Sequence, residues 1–282
     1  MKLTQNQIKQ YKEDGYLIIN NLIDHNDIDQ VVNEMKSLVE KEDLKETISV
    51  FTTNDQERKS DKYFLESGDK IRFFFEPGAL KDGKLQVPKE VCFNKCGHAL
   101  HDLNPVFEKF SYQQKIKDVI YSLGVLNKPL SVQSMFIFKN PKIGGEVGIH
   151  NDSTFLHTTP LTTHAIWFAF EDATTSNGCL RAMPGSHKNG ITRRFIRNKT
   201  NDGCIFEGEK EGPFDLKDFV ALECKKGSII LLDGSTIHYS EPNTSQQSRY
   251  AYTLHFIEGD GSAVYEADNW LQRSKELPFR VL

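Results

Sequence analysis

The sequence predicts a mainly β fold, a sandwich or jelly roll buttressed by helices, on three observations. In the second half, short runs of β-branched and aromatic residues recur between Gly, Pro, Asn and Asp clusters. Helical periodicity is confined to about residues 1–128, which leaves a β-rich core over about 129–260. Strands and helices do not alternate as βαβ units and no internal repeat breaks the order, so residues 1–282 are expected to form a single domain.

Thr4, with Gln7 three positions later, makes a capping box for a first helix, and Gly15 is placed to stop it because glycine accepts the left-handed conformation. Tyr16-Leu17-Ile18-Ile19 then reads as a strand. Over 27–42, Ile28, Val31, Val32, Met35, Leu38 and Val39 recur at helical spacing and form one apolar stripe. Two further helices are expected over 98–110 and 112–123. The clearest strands are 131–138, 164–170, 219–223, 228–232 and 249–257. Residues 184–218 form a long, polar, Gly-containing insertion with the character of a mobile lid.

Composition narrows the function. Asp and Glu exceed Lys and Arg by 39 to 35, a net charge of -4, which argues against a surface dedicated to nucleic acid or anionic membrane. No run approaches the roughly 20 apolar residues of a membrane span. The polar opening MKLTQNQIKQ lacks a secretory pattern, and the closing Phe279-Arg280-Val281-Leu282 is no peroxisomal tail. Five scattered cysteines suit a reducing compartment, so a cytoplasmic protein is expected. Cys92 and Cys96 have a spacing that zinc sites sometimes use, but no matching second pair follows.

Nine histidines supply more metal-capable nitrogens than a core needs. His150-Asn151-Asp152 stands near the start of the β-rich half and His238 follows much later. In an extended segment, residues two apart share a side, so His150 and Asp152 can reach a common point. Two imidazoles and one carboxylate on one face of a metal are typical of non-haem Fe(II) oxygenases. Alone, the tripeptide reads more readily as a polar surface turn. Arg249, eleven positions after His238, and Ser240 add a guanidinium and a hydroxyl able to hold one end of a dicarboxylic acid.

With these residues in hand, the chain resembles the phytanoyl-CoA dioxygenases. The resemblance runs from Asp14-Gly15-Tyr16 through Asn94-Lys95-Cys96-Gly97-His98-Ala99-Leu100-His101 to Asn269-Trp270-Leu271. Its most specific stretch is Glu171-Asp172-Ala173-Thr174, Asn177-Gly178-Cys179-Leu180 and Pro184-Gly185-Ser186-His187. It implies a double-stranded β-helix, a form of jelly roll, with Fe(II) held by the catalytic residues His150, Asp152 and His238. It also implies a 2-oxoglutarate site at Lys95, Met135, Trp167, Ser240 and Arg249, with His150, Asn151 and Asp152 lining it. O2 would complete the set, giving succinate and CO2. The carboxylate at 152, where related halogenating enzymes carry a small residue, points to hydroxylation of a small or lipid-like molecule. The rival expectation is a jelly-roll binding protein that holds metal and 2-oxoglutarate without turnover.

Other readings stay local. On pattern alone Met135 and Trp167 are core residues and Lys95 a surface lysine. His98, His101, His164 and His255 read as packing histidines, and His187 as a turn element with a backbone bond. The basic run Lys188, Arg193, Arg194, Arg197 and Lys199 reads as a solvated loop or a contact for an anionic substrate. Together with residues 50–88 it is expected to shape the substrate pocket.

Overall fold

The computed structural model describes residues 1–44, 49–50, 62–81 and 84–282. The expected pocket segment over 51–61 lies outside the described residues. Helix α1 (Gln5–Asp14) starts at the capping box of Thr4 and Gln7 and ends at Gly15, whose φ of 80° is left-handed. Strand β1 (Tyr16–Ile19) follows, then α2 (His25–Lys41), with Ile28, Val31, Met35 and Val39 buried along one stripe.

The sheet strands, in chain order, are β2 (Ile71–Phe75), β3 (Phe93–His98), β4 (Pro129–Ile137), β5 (Val147–His150), β6 (His164–Ala169) and β7 (Leu180–Ala182). After the hairpin β8 (Arg193–Arg197) and β9 (Cys204–Gly208) come β10 (Val220–Ala221), β11 (Ile229–Asp233), β12 (His238–Ser240), β13 (Ala251–Glu258) and β14 (Arg280–Val281). The larger sheet runs β1-β11-β6-β13-β4-β3-β2 with β14 beside β4, and the smaller runs β10-β7-β12-β5. Every pairing within them is antiparallel, and the sheets form an open jelly roll rather than a closed barrel.

Period-two alternation builds the two faces of the larger sheet. Ile166, Phe168, Ile229, Leu231, Tyr252, Leu254 and Phe256 pack in one core with residues of α1 and α2. Their neighbours Ala165, Trp167, Ile230, Leu232 and Ala251 turn the other way, into a second core shared with Leu180 and Ala182 of the smaller sheet. Both faces are covered, so these strands are largely apolar and conspicuous in the sequence.

Two expectations are corrected. The helix expected over 98–110 is a strand end followed by a single turn (Leu100–Leu103) and helix α3 (Pro105–Ser111). Pro105 pushes Asn104 out of the helical region, to φ -113° and ψ 121°, and the Asn104 side chain caps the new helix through Val106 N and Phe107 N. Helix α4 (Gln114–Leu123) follows as expected, two residues shorter. The expected lid contains the β8–β9 hairpin, with Phe195 and Cys204 buried against Phe64, Leu65 and Trp270. Its basic run is partly spent on structure, since Arg194 pairs with Asp268 and Arg197 donates to the Leu65 and Trp270 carbonyls. No helix among the described residues is long and apolar enough to cross a membrane.

Candidate functional site

Antiparallel pairing of β12 with β5 sets His238 directly opposite His150, and the ring centroids lie 4.3 Å apart. Asn151 is extended (φ -130°, ψ 152°), so Asp152 returns to the side of His150 as it opens a short turn. That turn is tied down by Ser153 N, which donates to Gly234 O at 2.7 Å just ahead of β12. Asp152 Oδ1 lies 3.8 Å from His150 Nε2 and 3.9 Å from His238 Nε2. One ligand atom from each residue falls within 4.8 Å of the others.

The donor chemistry suits a divalent metal. His150 Nδ1 donates to Gly148 O at 2.8 Å and His238 Nδ1 to Thr236 O at 2.9 Å. With the proton on Nδ1, each Nε2 keeps its lone pair toward the cluster, which is how second partners orient metal-binding imidazoles. Burial and the neighbouring His238 hold His150 down to about 4, so it is neutral at physiological pH. Burial works against ionising Asp152, but the facing His255, His238 and His150 outweigh it and hold the carboxyl well below the usual range.

A cavity of about 590 Å³ opens between the sheets. Of the residues expected at the site, it is lined by Lys95, Met135, His150, Asp152, Trp167, His238, Ser240 and Arg249. Asn151 is not among its lining residues; it caps its own turn through Thr154 N and donates from Nδ2 to Glu211 Oε1 at 2.8 Å. Lys95 is buried in β3 rather than on the surface, and its Nζ lies 5.6 Å from the centre of the Phe74 ring.

Arg249, expected to open the strand, instead enters from the loop two residues ahead of β13. Glu171 accepts from Ser248 Oγ at 3.0 Å and Tyr250 N at 2.8 Å, pinning the chain on either side of it. The guanidinium lies over the Trp167 ring, with Nη2 3.5 Å from Ser240 Oγ. Its Nε and Nη1 have no hydrogen-bond partner among the described residues, and the residue is 1% exposed. Burial pulls the group down to about 10, which leaves it charged at neutral pH. A buried cation with unmet donors is costly unless an anion joins it, and a bidentate carboxylate matches the fork.

His255 is the residue that the sequence reading set aside. It lines the same cavity, with Nε2 3.4 Å from Asp152 Oδ2. The missed signal is alternation: positions 249, 251, 253 and 255 share one side of an extended chain. Aromatic side chains form another wall, where Phe64 stacks on Trp270 at 4.2 Å beside Phe155 and Phe206. By contrast His101 packs as expected, bonded to Ser134 Oγ and beside Asp102, and His187 meets the Lys12 carbonyl as a backbone-bonded turn element should.

Comparison with known proteins agrees with this geometry. Residues 11–251 match the family model described as phytanoyl-CoA dioxygenase (PhyH). The chain is 66% identical to the phytanoyl-CoA dioxygenase domain-containing protein 1 homolog of Dictyostelium discoideum, covering all of both chains. It is 44% identical to phytanoyl-CoA dioxygenase of Arabidopsis thaliana, over 97% of this chain and 95% of that one. Among solved structures, the epimerase SnoN in complex with Fe3+, alpha ketoglutarate and nogalamycin RO superposes with a TM-score of 0.66 at 13% identity, covering 99% of this chain and 92% of that one. EctD from S. alaskensis with 2-oxoglutarate and 5-hydroxyectoine gives 0.60 at 16% identity, over 91% and 76%. The structural likenesses speak to the fold, and the sequence matches decide the family: this chain belongs to the phytanoyl-CoA dioxygenases.

Proposed function

We propose that the protein is an Fe(II)- and 2-oxoglutarate-dependent dioxygenase that hydroxylates a small or lipid-like substrate and releases succinate and CO2. The observation that carries this reading is the meeting, in one cavity, of a two-histidine, one-carboxylate cluster and a buried arginine with unmet donors. Iron held by His150, Asp152 and His238 would supply, with 2-oxoglutarate and O2, the oxidising chemistry that no side chain has. SnoN solved with Fe3+ and alpha ketoglutarate, and EctD solved with 2-oxoglutarate, support the same pair of ligands.

The chain's own residues bind, orient and exclude water. Gly148 and Thr236 carbonyls fix the two imidazoles so that both Nε2 atoms point inward. Arg249 takes the distal carboxylate of 2-oxoglutarate, with Ser240 Oγ beside it and Trp167 as the floor that keeps the guanidinium flat. Lys95 adds positive charge to the wall, and Met135 lines the cavity opposite Thr253 of β13, whose other register partner is Trp167. The Phe64, Trp270 and Phe155 wall keeps the substrate's side dry.

Two measurements test the reading. Anaerobic Fe(II) with 2-oxoglutarate should give a visible charge-transfer band that His150→Ala and His238→Ala abolish; an unchanged spectrum in either variant removes the metal assignment. Admitting oxygen should then produce succinate. Persistent binding of both ligands with no oxygen-dependent succinate would instead mark a binding protein without turnover.

A further inference from the structure

The cavity holds a buried histidine whose bonding differs from that of His101. His101 has both nitrogens engaged, Nδ1 at 2.7 Å from Ser134 Oγ and Nε2 at 3.1 Å from Asp102 Oδ2. His255 is also buried, at 3% exposed, yet its Nδ1 has no hydrogen-bond partner among the described residues. Its Nε2 faces Asp152 Oδ2 at 3.4 Å.

The strand around it is shaped to aim the ring. Gln133 of β4 pairs with His255 but Ser131 pairs with Phe256, so the register slips at Val132. Such a bulge bends the strand and redirects the side chain beside it. On the other flank the register partner is Ala165 of β6, whose single methyl leaves lateral space for the imidazole.

The two oxygens of Asp152 are thereby divided. Oδ1 faces the Nε2 atoms of His150 and His238, and Oδ2 faces the Nε2 of His255. We propose that His255 is a positioning residue that occupies Asp152 Oδ2, so that the carboxylate offers a metal one oxygen and not two. This inference rests on the metal reading above. The imidazole puts Nε2–H toward Oδ2, blocks rotation of the carboxylate and would keep the second oxygen from a metal held there. Partners of this kind typically change metal affinity by about 10- to 100-fold.

The test uses the full chain without 2-oxoglutarate, titrated anaerobically with Co(II) alone and followed by visible absorption, together with the thermal midpoint of the metal-free protein. His255→Leu should weaken Co(II) binding by about 10- to 100-fold and alter the cobalt spectrum. His255→Gln, whose amide reaches the place of Nε2, should recover most of that loss, whereas His255→Asn, whose amide sits nearer the place of Nδ1, should not. Where His255→Leu does not fold, the Gln and Asn pair decides. Equal Co(II) affinity in wild type, Gln and Asn variants overturns the proposal, and so does a fall in midpoint common to all variants with no difference between Gln and Asn in metal binding. Wild-type protein that takes up no cobalt removes the metal reading and this inference together; wild type that binds while the variants match it removes this inference alone.

Discussion

The guanidinium carbon of Arg249 lies 5.1 Å from the centre of the Trp167 ring, and around this pair a buried positive charge is held with two nitrogens that have no partner among the described residues. Ser240 and the aromatic face are its neutral neighbours, and Glu171 is spent on the adjacent chain. The arrangement costs the empty protein stability and is repaid when a carboxylate arrives.

Arg249→Met should therefore separate stability from binding. The metal-free, ligand-free variant is expected to melt at or above the wild-type temperature, because a buried charge with unmet donors is replaced by an apolar chain. Its affinity for 2-oxoglutarate should fall by about 10- to 100-fold, the loss of about 1.5–3 kcal/mol for charge-assisted hydrogen bonds. Lys188→Ala is the control and should change neither. Thermal melts with and without 2-oxoglutarate, alongside a binding titration, measure both; wild-type affinity in Arg249→Met would take the residue out of the site.

Gly15→Ala should be felt as far as the metal cluster. Gly15 adopts φ 80°, and a methyl there would collide with Thr236 Oγ1 and the His187 ring. Thr236 also donates to Gly15 O at 2.8 Å, and its own carbonyl orients His238. The substitution is expected to cost about 1–3 kcal/mol, from backbone strain plus collision, and to weaken Co(II) binding. Gly124→Ala has a similar φ of 71° with no atom near the added methyl, so it should show the backbone part alone. Urea denaturation of both variants checks this, and equal losses would contradict it.

Lys139 sets a pH dependence of stability. It is 1% exposed and donates to Gly145 O at 2.6 Å; burial first, then the charge of Arg249, pulls it down to about 7. Between about pH 7 and the ordinary lysine range, the unfolded chain binds a proton that the folded chain does not. Stability from this group therefore rises with pH across that window and is lost as pH falls through 7, by at most about 1.4 kcal/mol per pH unit. Burial of Cys92, whose thiol is pushed up to about 12, works in the opposite direction above its unfolded value. The difference between wild type and Lys139→Met in denaturant isolates the lysine: the wild-type curve should climb relative to the variant from pH 7 to 10, and parallel curves would refute the shift.

The long strands were legible because they are rich in β-branched and aromatic residues, so β4, β6, β11 and β13 fall within a residue or two of their expected ends. Strands β5, β7 and β12 were not. They span only three or four residues and exist because antiparallel partners far along the chain hold them. The hairpin in the expected lid has the same origin, since Phe195 is buried only once Phe64 and Trp270 are in place.

The sequence by itself determined the types of the longer elements, the capping of α1, the candidate ligands and the family resemblance, all of which rest on residue chemistry and spacing along one chain. Only the tertiary structure decided that His150 and His238 stand in register, that Arg249 lies unpaired over Trp167, and that His255 reaches Asp152 while Asn151 turns away. The physical reason is that these relations cross between strands. They depend on pairing register, on a bulge at Val132 and on the small Ala165 beside the ring, none of which leaves a periodic trace in the sequence.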